Sequence, residues 1–333
     1  MATVKTTTGE EVAKIAEKIY QKLKGKGGIQ RVYCLACGGS KASCYLLENF
    51  LQSESKTIFA QSYSANEFVY DTPKGLDEQS VAFAMSMGGS TKETMDAAKV
   101  AKEHGATVVT LSITPDAAIA KIGDHHVVYS DESTLGFEAI NQALLLRFGF
   151  EFLRLQEGYE FYDQAVDGYK KLPGLCERVV KLVAARAKRF GTEHKDEPVI
   201  YTMTSGPASY AAYMECICMF MEMEWVHSSS IHSGEFFHGP FEVTDQDTPF
   251  VMMMNDGPTR PLDERALRFL QRYGKKITVI DAKELGVNTM DGHVTGYYGA
   301  ILIWIAALEY AKGLAEAKEH PLFMRRYMGK VEY

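Results

Sequence analysis

Apolar residues at helical spacing open the chain. Val12, Ile15, Ile19 and Leu23 recur every three or four positions and glycines follow from Gly25, so the pattern predicts an amphipathic helix over residues 9–24. Beyond it, short apolar runs alternate with amphipathic segments. The predicted strands are 31–36, 57–61, 80–86, 107–112 and 125–129, and the predicted helices are 41–52, 92–104, 134–155 and 159–190. This alternation is typical of a parallel sheet with helices on both faces.

The same rhythm restarts after the polar stretch 191–197. The predicted strands there are 198–204, one near 227–231, 249–254 and 276–280, and the predicted helices are 208–224, 261–273 and 299–313. In both halves a glycine turn joins the first strand to its helix, at Cys37–Ser40 and at Ser205–Pro207. We interpret the repetition as a tandem duplication of one α/β module, a doubly wound parallel sheet flanked by helices. The predicted organisation is an N-terminal helix (1–27), a first module (28–193) and a second module (194–333).

Length and composition indicate a globular protein with room for two domains, since the 333 residues are 46% hydrophobic and 24% charged. A net charge of -7, from 36 Lys and Arg against 43 Asp and Glu, argues against a nucleic-acid partner. Six cysteines without a leader over residues 1–28 favour a reducing compartment, so we expect a cytoplasmic protein. The longest apolar stretch, 299–307, is shorter than the roughly 20 residues that cross a bilayer, and we expect no membrane span.

Two glycine turns in the first half are candidates for binding a phosphate group. Gly38–Ser40 and Ser86–Thr91 each follow a predicted strand and open a predicted helix. At the carboxyl ends of parallel strands, such turns offer backbone N–H groups to an anion. A tight turn with a Ser or Thr cap explains each turn equally well when it is taken singly. Neither turn has the spacing of a dinucleotide fingerprint or of a P-loop, which disfavours both of those ligand classes.

Residues 217–243 carry the candidate acid-base chemistry. Glu222 ends a predicted helix that is apolar on nearly every face, so we expect it to lose hydration and to act as a general base. The alternative is a buried structural carboxylate paired with an arginine. Glu224, two positions on, is expected to face solvent or an interface.

A histidine follows in a segment that should fix its position. Ser233–Glu235 precedes Phe236–Pro240, which indicates a turn, one helical turn and a Gly-Pro stop around His238. Imidazole both donates and accepts protons near pH 7. His227, His232 and His238 are spaced five and six residues apart, which matches no zinc motif, so we predict no metal.

Taken together, these motifs resemble the SIS (sugar isomerase) family of phosphosugar-binding domains, in the tandem form of the isomerase half of glucosamine-6-phosphate synthase. The resemblance runs from about residue 27 to Tyr333 and is strongest over Glu222–Pro240. That segment and the terminal Arg325–Tyr333 are similar to the fructosamine-6-phosphate deglycases, above all those acting on 6-phosphofructose-aspartate and less closely those acting on fructoselysine 6-phosphate.

The resemblance implies roles for individual residues. It places the catalytic pair on Glu222 and His238. It places the phosphate contacts on Ser40, Ser86 and Thr91, with backbone help from Gly39. Relatives often carry a polar or basic side chain where this chain has Met87 and Gly88, so the second turn must rely on N–H groups and hydroxyls. Further candidates for substrate contact are Glu235, Arg325, Arg326 and Lys330, the last three with solvated tail charges as the alternative.

The function implied is hydrolysis of a 6-phosphorylated Amadori compound to glucose 6-phosphate and an amino acid, with no cofactor, by a homodimer whose active sites lie between subunits. Two alternatives stay open. One is an aldose-ketose phosphosugar isomerase, which shares the proton-transfer step. The other is a non-catalytic sugar-phosphate sensor, which the retention of both Glu222 and His238 disfavours. A glutamine-dependent synthase is disfavoured because we expect no glutaminase domain.

Overall fold

The structure is a computed structural model that describes residues 4–131 and 136–332. The chain divides into two compact units, Met1–Pro173 and Gly174–Tyr333. Each unit is built around its own parallel sheet, as the repeated strand-helix pattern predicts. The division falls within one long helix, whereas the sequence predicts a module boundary between residues 193 and 194; that boundary and the separate N-terminal segment 1–27 stay predictions.

The first unit contains five strands. These are β1 (Arg31–Ala36), β2 (Phe59–Ser64), β3 (Ser80–Met85), β4 (Thr107–Ser112) and β5 (His125–Val128). Its helices are α1 (Gly9–Lys24), α2 (Gly38–Glu54), α3 (Ala65–Tyr70), α4 (Lys92–Glu103) and α5 (Asn141–Gln156), with a 3₁₀ turn at Ala118–Lys121, and α6 (Tyr162–His194) begins here. All strands pair in parallel in the order β2-β1-β3-β4-β5. Because the order reverses beside β1, the helices cover both faces of the sheet.

Alternating side chains of the strands fill the two cores of this unit. Tyr33 and Leu35 on β1 pack with Phe68 of α3 and with the alanines of α4 on one face. On β3, Phe83 packs edge-on against Phe148 of α5, with ring centroids 5.0 Å apart. Strands buried on both faces read as continuous apolar runs, which is why the sequence predicts β1 and β4 correctly to the residue.

The second unit contains four strands. These are β6 (Tyr201–Thr204), β7 (Ser230–His232), β8 (Phe250–Met254) and β9 (Ile277–Asp281). Its helices are α7 (Ser209–Met214), α8 (Arg260–Tyr273) and α9 (Thr295–Ala317), with a π-helix at Glu215–Met223 and 3₁₀ turns at Gly206–Ala208, Phe236–His238, Pro240–Val243 and Val287–Thr289. The strands pair in parallel in the order β7-β6-β8-β9, so the first strand again lies between the second and the third. This shared order confirms the predicted duplication of one α/β module.

Several predicted elements differ from the structure in detail. The helix predicted over 134–155 begins only at Asn141, and positions 134 and 135 lie outside the described residues. The short helix α3 is absent from the prediction because six residues are too few to show a period. The helix predicted over 208–224 is a 3₁₀ turn, a short α-helix and a π-helix in succession. Its register therefore departs from the 3.6-residue period on which the prediction rests.

Helix α9 is the one helix among the described residues that is long and apolar enough to cross a membrane. Most of it is buried in this structure, and it packs against α7 and the π-helix of its own unit. Core helices of this kind meet the same length and composition criteria as membrane spans.

Candidate functional site

The turn after β3 presents hydroxyls and N–H groups at the start of α4. The Oγ of Ser86 lies 2.9 Å from the Oγ1 of Thr91 and accepts the N–H of Gly89 over 3.1 Å. Gly89 has φ +68, and a Cβ there would lie 2.3 Å from the Cβ of Ala117. Only glycine fits this close approach, so the turn keeps its shape. Thr91 is the residue preceding the 12-residue α4, whose first N–H groups lack helical partners.

A second turn leaves the neighbouring strand at the same edge of the sheet. Ala36 of β1 is in register with Met85 of β3, so the turns at Gly38–Ser40 and Ser86–Thr91 begin side by side. Gly38 has φ +55, and Ser40 is half-buried in the first turn of α2. The two turns lie where the strand order reverses, which is where open α/β sheets bind ligands. The structure thus brings the predicted phosphate residues of the first unit together.

A lysine that the sequence did not single out, Lys41, lies beside these turns. Lys41 follows Ser40 directly, is half-buried, and forms no ion pair with any residue in the described parts of the chain. Its place in the first turn of α2 adds positive charge to an anion site that otherwise relies on N–H groups and hydroxyls. A lysine immediately after Gly-Gly-Ser was the signal that could have revealed it.

The turn of the second unit that corresponds to Cys37–Ser40, at Ser205–Pro207, packs against Thr259. Ser205 is fully buried and donates its hydroxyl to the carbonyl of Thr259 over 3.2 Å. Gly206 has φ +59, and a Cβ there would lie 2.4 Å from the Oγ1 of Thr259. A Cβ at Gly38, in the turn of the first unit, would meet no atom within 4 Å, so the two modules differ at this point.

Glu224, which the sequence predicts to face solvent or an interface, is the more deeply buried of the two glutamates, and Glu222 is paired with an arginine, as its alternative interpretation has it. Glu222, at the end of the π-helix, keeps 26% of its side chain exposed, and its Oε1 lies 2.7 Å from Nη2 of Arg325. Glu224 is 1% exposed, and neither of its carboxylate oxygens has a hydrogen-bond partner among the described residues. Burial raises the pKa of Glu224 to about 7, although Lys318 opposes the shift. Glu224 is buried in place of Glu222 because the segment is a π-helix. Its i→i+5 hydrogen bond, from the Glu224 N–H to the Met219 carbonyl, turns each side chain away from the direction it would have in an α-helix.

Glu222 lies on the wall of a cavity of about 610 Å³ in the second unit. The other lining residues are Met221, Trp225, Val226, His227, Arg325, Arg326, Tyr327 and Met328. Arg325 and Arg326 thus line the same cavity as Glu222, whereas Lys330 donates to the backbone carbonyl of Arg325 and does not line it.

Trp225 is held in an unusual conformation at this cavity. Its φ of +57 is in the left-handed region that bulky residues rarely adopt. The guanidinium of Arg326 lies 4.1 Å from its ring centroid, and the ring of His320 lies 4.3 Å from it. Strain of this kind persists only where surrounding contacts impose it, and it is concentrated at functional sites. The sequence carries no local signal for this conformation.

His238 ends a 3₁₀ turn, as the Gly-Pro stop predicts. The turn Phe236–His238 is followed by Gly239 with φ +139. Buried Phe236 anchors it, packing edge-on against Phe269 with ring centroids 5.7 Å apart. The His238 side chain is exposed, as is Glu235, and neither lines the cavity at Glu222 among the residues that the structure describes.

The histidines of this segment form no metal centre in the described parts of the chain, where no three His, Cys, Asp or Glu side chains cluster. His232 instead accepts the N–H of Gly234 over 3.1 Å. The prediction of a metal-free site stays a prediction.

Comparisons with known proteins agree with this fold. The SIS domain matches residues 28–143. Fructosamine deglycase FrlB of Bacillus subtilis (strain 168) is 39% identical over 97% of this chain and 98% of its own length. Fructoselysine 6-phosphate deglycase of Escherichia coli (strain K12) is 26% identical over 92% of this chain and 88% of its own. A solved chain from Salmonella typhimurium LT2, provisionally described as a phosphosugar isomerase, superimposes with a TM-score of 0.94 at 38% identity, over 100% of this chain and 99% of that one.

Proposed function

The chain belongs to the SIS-domain family, and from that premise we propose that it is a deglycase. Its substrate is a 6-phosphorylated Amadori compound, 6-phosphofructose-aspartate or a related fructosamine 6-phosphate, which it hydrolyses to glucose 6-phosphate and a free amino acid. The full-length similarity to a fructosamine deglycase supports the substrate class. The observation that carries the chemistry is Glu222, a carboxylate with a quarter of its surface exposed on the wall of a cavity of suitable size for a small molecule.

The reaction needs only proton transfers and one water molecule. In the open-chain substrate the C2 ketone acidifies the C1–H bond, and Glu222 takes that proton to give an enaminol. Return of a proton to C2 gives the C1 imine of glucose 6-phosphate. Water adds to C1, the carbon-nitrogen bond breaks, and the amine leaves with a proton. No electron donor or acceptor is consumed, so acid-base catalysis suffices, a contribution of roughly 10²–10⁴ in rate for each positioned group.

The phosphate group is assigned to the first unit. Gly39, Ser40, Ser86 and Thr91 lie at the two neighbouring turns of the sheet edge, and Lys41 adds a cation there. Orphan N–H groups at the start of α2 and α4 are suited to a dianionic phosphate.

His238 is assigned to opening the sugar ring and to assisting the addition of water. Its exposed ring at the end of a rigid turn supports a role toward a bound substrate. We further propose that the active form is a homodimer in which a second copy completes each site. Glu235 and Lys330 remain candidates for substrate contact, although neither is among the described residues that line the cavity at Glu222.

A release assay tests the function. Purified protein is incubated with 6-phosphofructose-aspartate, with fructoselysine 6-phosphate and with fructose 6-phosphate, and glucose 6-phosphate is measured by a coupled enzyme. We expect release from at least one Amadori compound together with an equal amount of free amine. Conversion of fructose 6-phosphate alone would make the protein an isomerase, and no conversion with tight binding would make it a sensor.

A further inference from the structure

Arg325 divides its guanidinium between the backbone of its own segment and Glu222. Its Nη1 donates to the backbone carbonyls of Leu322 and Met324 over 2.6 and 2.9 Å. Its Nη2 lies 2.7 Å from Oε1 of Glu222. One nitrogen thus fixes the side chain to its own segment, and the other is committed to the residue assigned as the base.

One nitrogen of the same guanidinium is free. The Nε of Arg325 makes no hydrogen bond with any residue in ranges 4–131 and 136–332, so Glu222 pairs with the neighbouring Nη2 and accepts nothing from Nε. The Nε–Nη2 edge of an arginine fits a carboxylate through two parallel hydrogen bonds. A second carboxylate at this edge would therefore be bound better than Glu222 is.

The cavity wall carries more positive than negative charge, which favours an anionic ligand. Arg325 and Arg326 face one carboxylate, that of Glu222. Arg326 stacks on Trp225 and has no carboxylate partner in the part of the chain that the structure describes. A ligand that brings one carboxylate into this cavity restores the balance.

The segment that carries Arg325 is lightly attached. None of the residues 321–332 has a buried side chain, and Phe323 is 84% exposed. A change in the position of Arg325 therefore breaks few apolar contacts, and segments of this kind have low local stability.

Resting on the proposed function, we propose that Arg325 is a positioning residue that determines specificity. It holds the Glu222 carboxylate through its Nη2. When an Amadori compound of an α-amino acid enters, its carboxylate, on the carbon next to the nitrogen, takes the Nε–Nη2 edge. Glu222 is then released to take the C1 proton. Recognition of the amino acid and freeing of the base are thus one event.

The test compares two substrates that differ only in the carboxylate. These are the 6-phosphofructose conjugates of glycine and of methylamine, assayed with wild type, Arg325→Met, Arg325→Lys and the control Arg268→Met, which removes an exposed arginine elsewhere in the same unit. We expect wild type to favour the glycine conjugate in kcat/KM. Arg325→Met should lower that preference at least tenfold, chiefly through a loss of kcat/KM for the glycine conjugate. Arg325→Lys should restore only part of the preference, because an ammonium group cannot bind two oxygens side by side.

A binding measurement isolates the exchange from the chemistry. In Glu222→Gln the charge that competes for Arg325 is gone, so calorimetry should show the glycine conjugate bound at least about threefold more tightly than by His238→Asn, which keeps Glu222 and is also expected to turn over little substrate. The methylamine conjugate should bind equally to both proteins.

The outcomes separate the two proposals. If wild type turns over the conjugates and Arg325→Met keeps the wild-type preference, the role of Arg325 is overturned and the deglycase function stands. Equal losses for both conjugates, with a lowered unfolding temperature, would assign Arg325 a purely structural role and would also overturn it. If wild type neither binds nor converts either conjugate, the proposed function and the exchange both fail.

Discussion

The Ser233 hydroxyl donates to Oδ1 of Asp263 over 2.7 Å, and both residues are buried. The bond ties the turn that follows β7 to helix α8, five residues before His238. Burial raises the pKa of Asp263 to about 6, while the Ser233 hydrogen bond opposes the shift. A buried polar pair of this kind sets the position of the His238 turn from within the unit.

Removing the acceptor should therefore loosen the His238 turn. We expect Asp263→Ala to lower the free energy of unfolding by about 1–3 kcal/mol, since it leaves a buried hydroxyl unsatisfied, and to lower kcat severalfold. Asp263→Asn keeps an acceptor and should cost less in both. Urea denaturation and turnover assays check this, and wild-type values for Asp263→Ala would show that Asp263 has no part in holding the turn.

The phosphate assignment predicts a specific loss of affinity. Ser86→Ala and Thr91→Val each remove one of two hydroxyls 2.9 Å apart at the start of α4. We expect each to weaken binding of glucose 6-phosphate by about 1 kcal/mol, roughly fivefold, while the fold persists. Calorimetry measures the change, with Thr192→Val, an exposed threonine near the end of α6, as the matched control. Unchanged affinity in both variants would remove this turn from the site.

The proton-transfer assignment predicts that Glu222→Gln abolishes turnover, since the amide keeps the shape of the carboxylate but cannot take the C1 proton. His238→Asn should also reduce turnover strongly, and the two losses should not add because both residues serve one sequence of proton transfers. With C1-deuterated substrate, wild type should show a rate effect or exchange of label with solvent, and Glu222→Gln should show neither. Near-native turnover by Glu222→Gln would move the base to Glu224 or Glu235.

Glu224 predicts how stability depends on pH. Its pKa is about 7 in the folded protein against 4.5 for an ordinary glutamate. Between these values the folded protein retains a proton that the unfolded chain has released, so the free energy of unfolding falls as pH rises, by on the order of 3 kcal/mol for this group. Above pH 7 both states are ionised and the group adds no further change.

Glu224→Gln removes this titration. We expect the free energy of unfolding of the variant, minus that of wild type, to increase steadily from pH 4.5 to pH 7. Urea denaturation at several pH values measures this difference. Burial, together with the charge of Glu224, raises the pKa of Glu215 well above its usual range. Glu224→Gln removes that charge, so the pKa of Glu215 should be lower in the variant than in wild type. A difference between the two proteins that is independent of pH would contradict the burial of an uncompensated carboxyl at this position.

The sequence by itself determined what depends on neighbours along the chain. Helix 9–24 and the strands 31–36 and 107–112 are predicted to the residue, because the apolar period and the glycine stops act over a few positions. The glycine turns after β1 and β3 and the rigid stop after His238 are local features of the same kind, as is the repeat of strand and helix that predicts two modules.

Only the tertiary structure decided which of these features are open, buried or paired. The turns at Cys37–Ser40 and Ser205–Pro207 look alike in sequence, but Thr259, distant along the chain, packs against the second one. Glu224 is buried more deeply than Glu222 because a π-helix turned both side chains, and Arg325, far from Glu222 in sequence, became the partner of Glu222. Burial and ion pairing depend on contacts between residues that the chain brings together only on folding, and no period within one segment encodes those contacts.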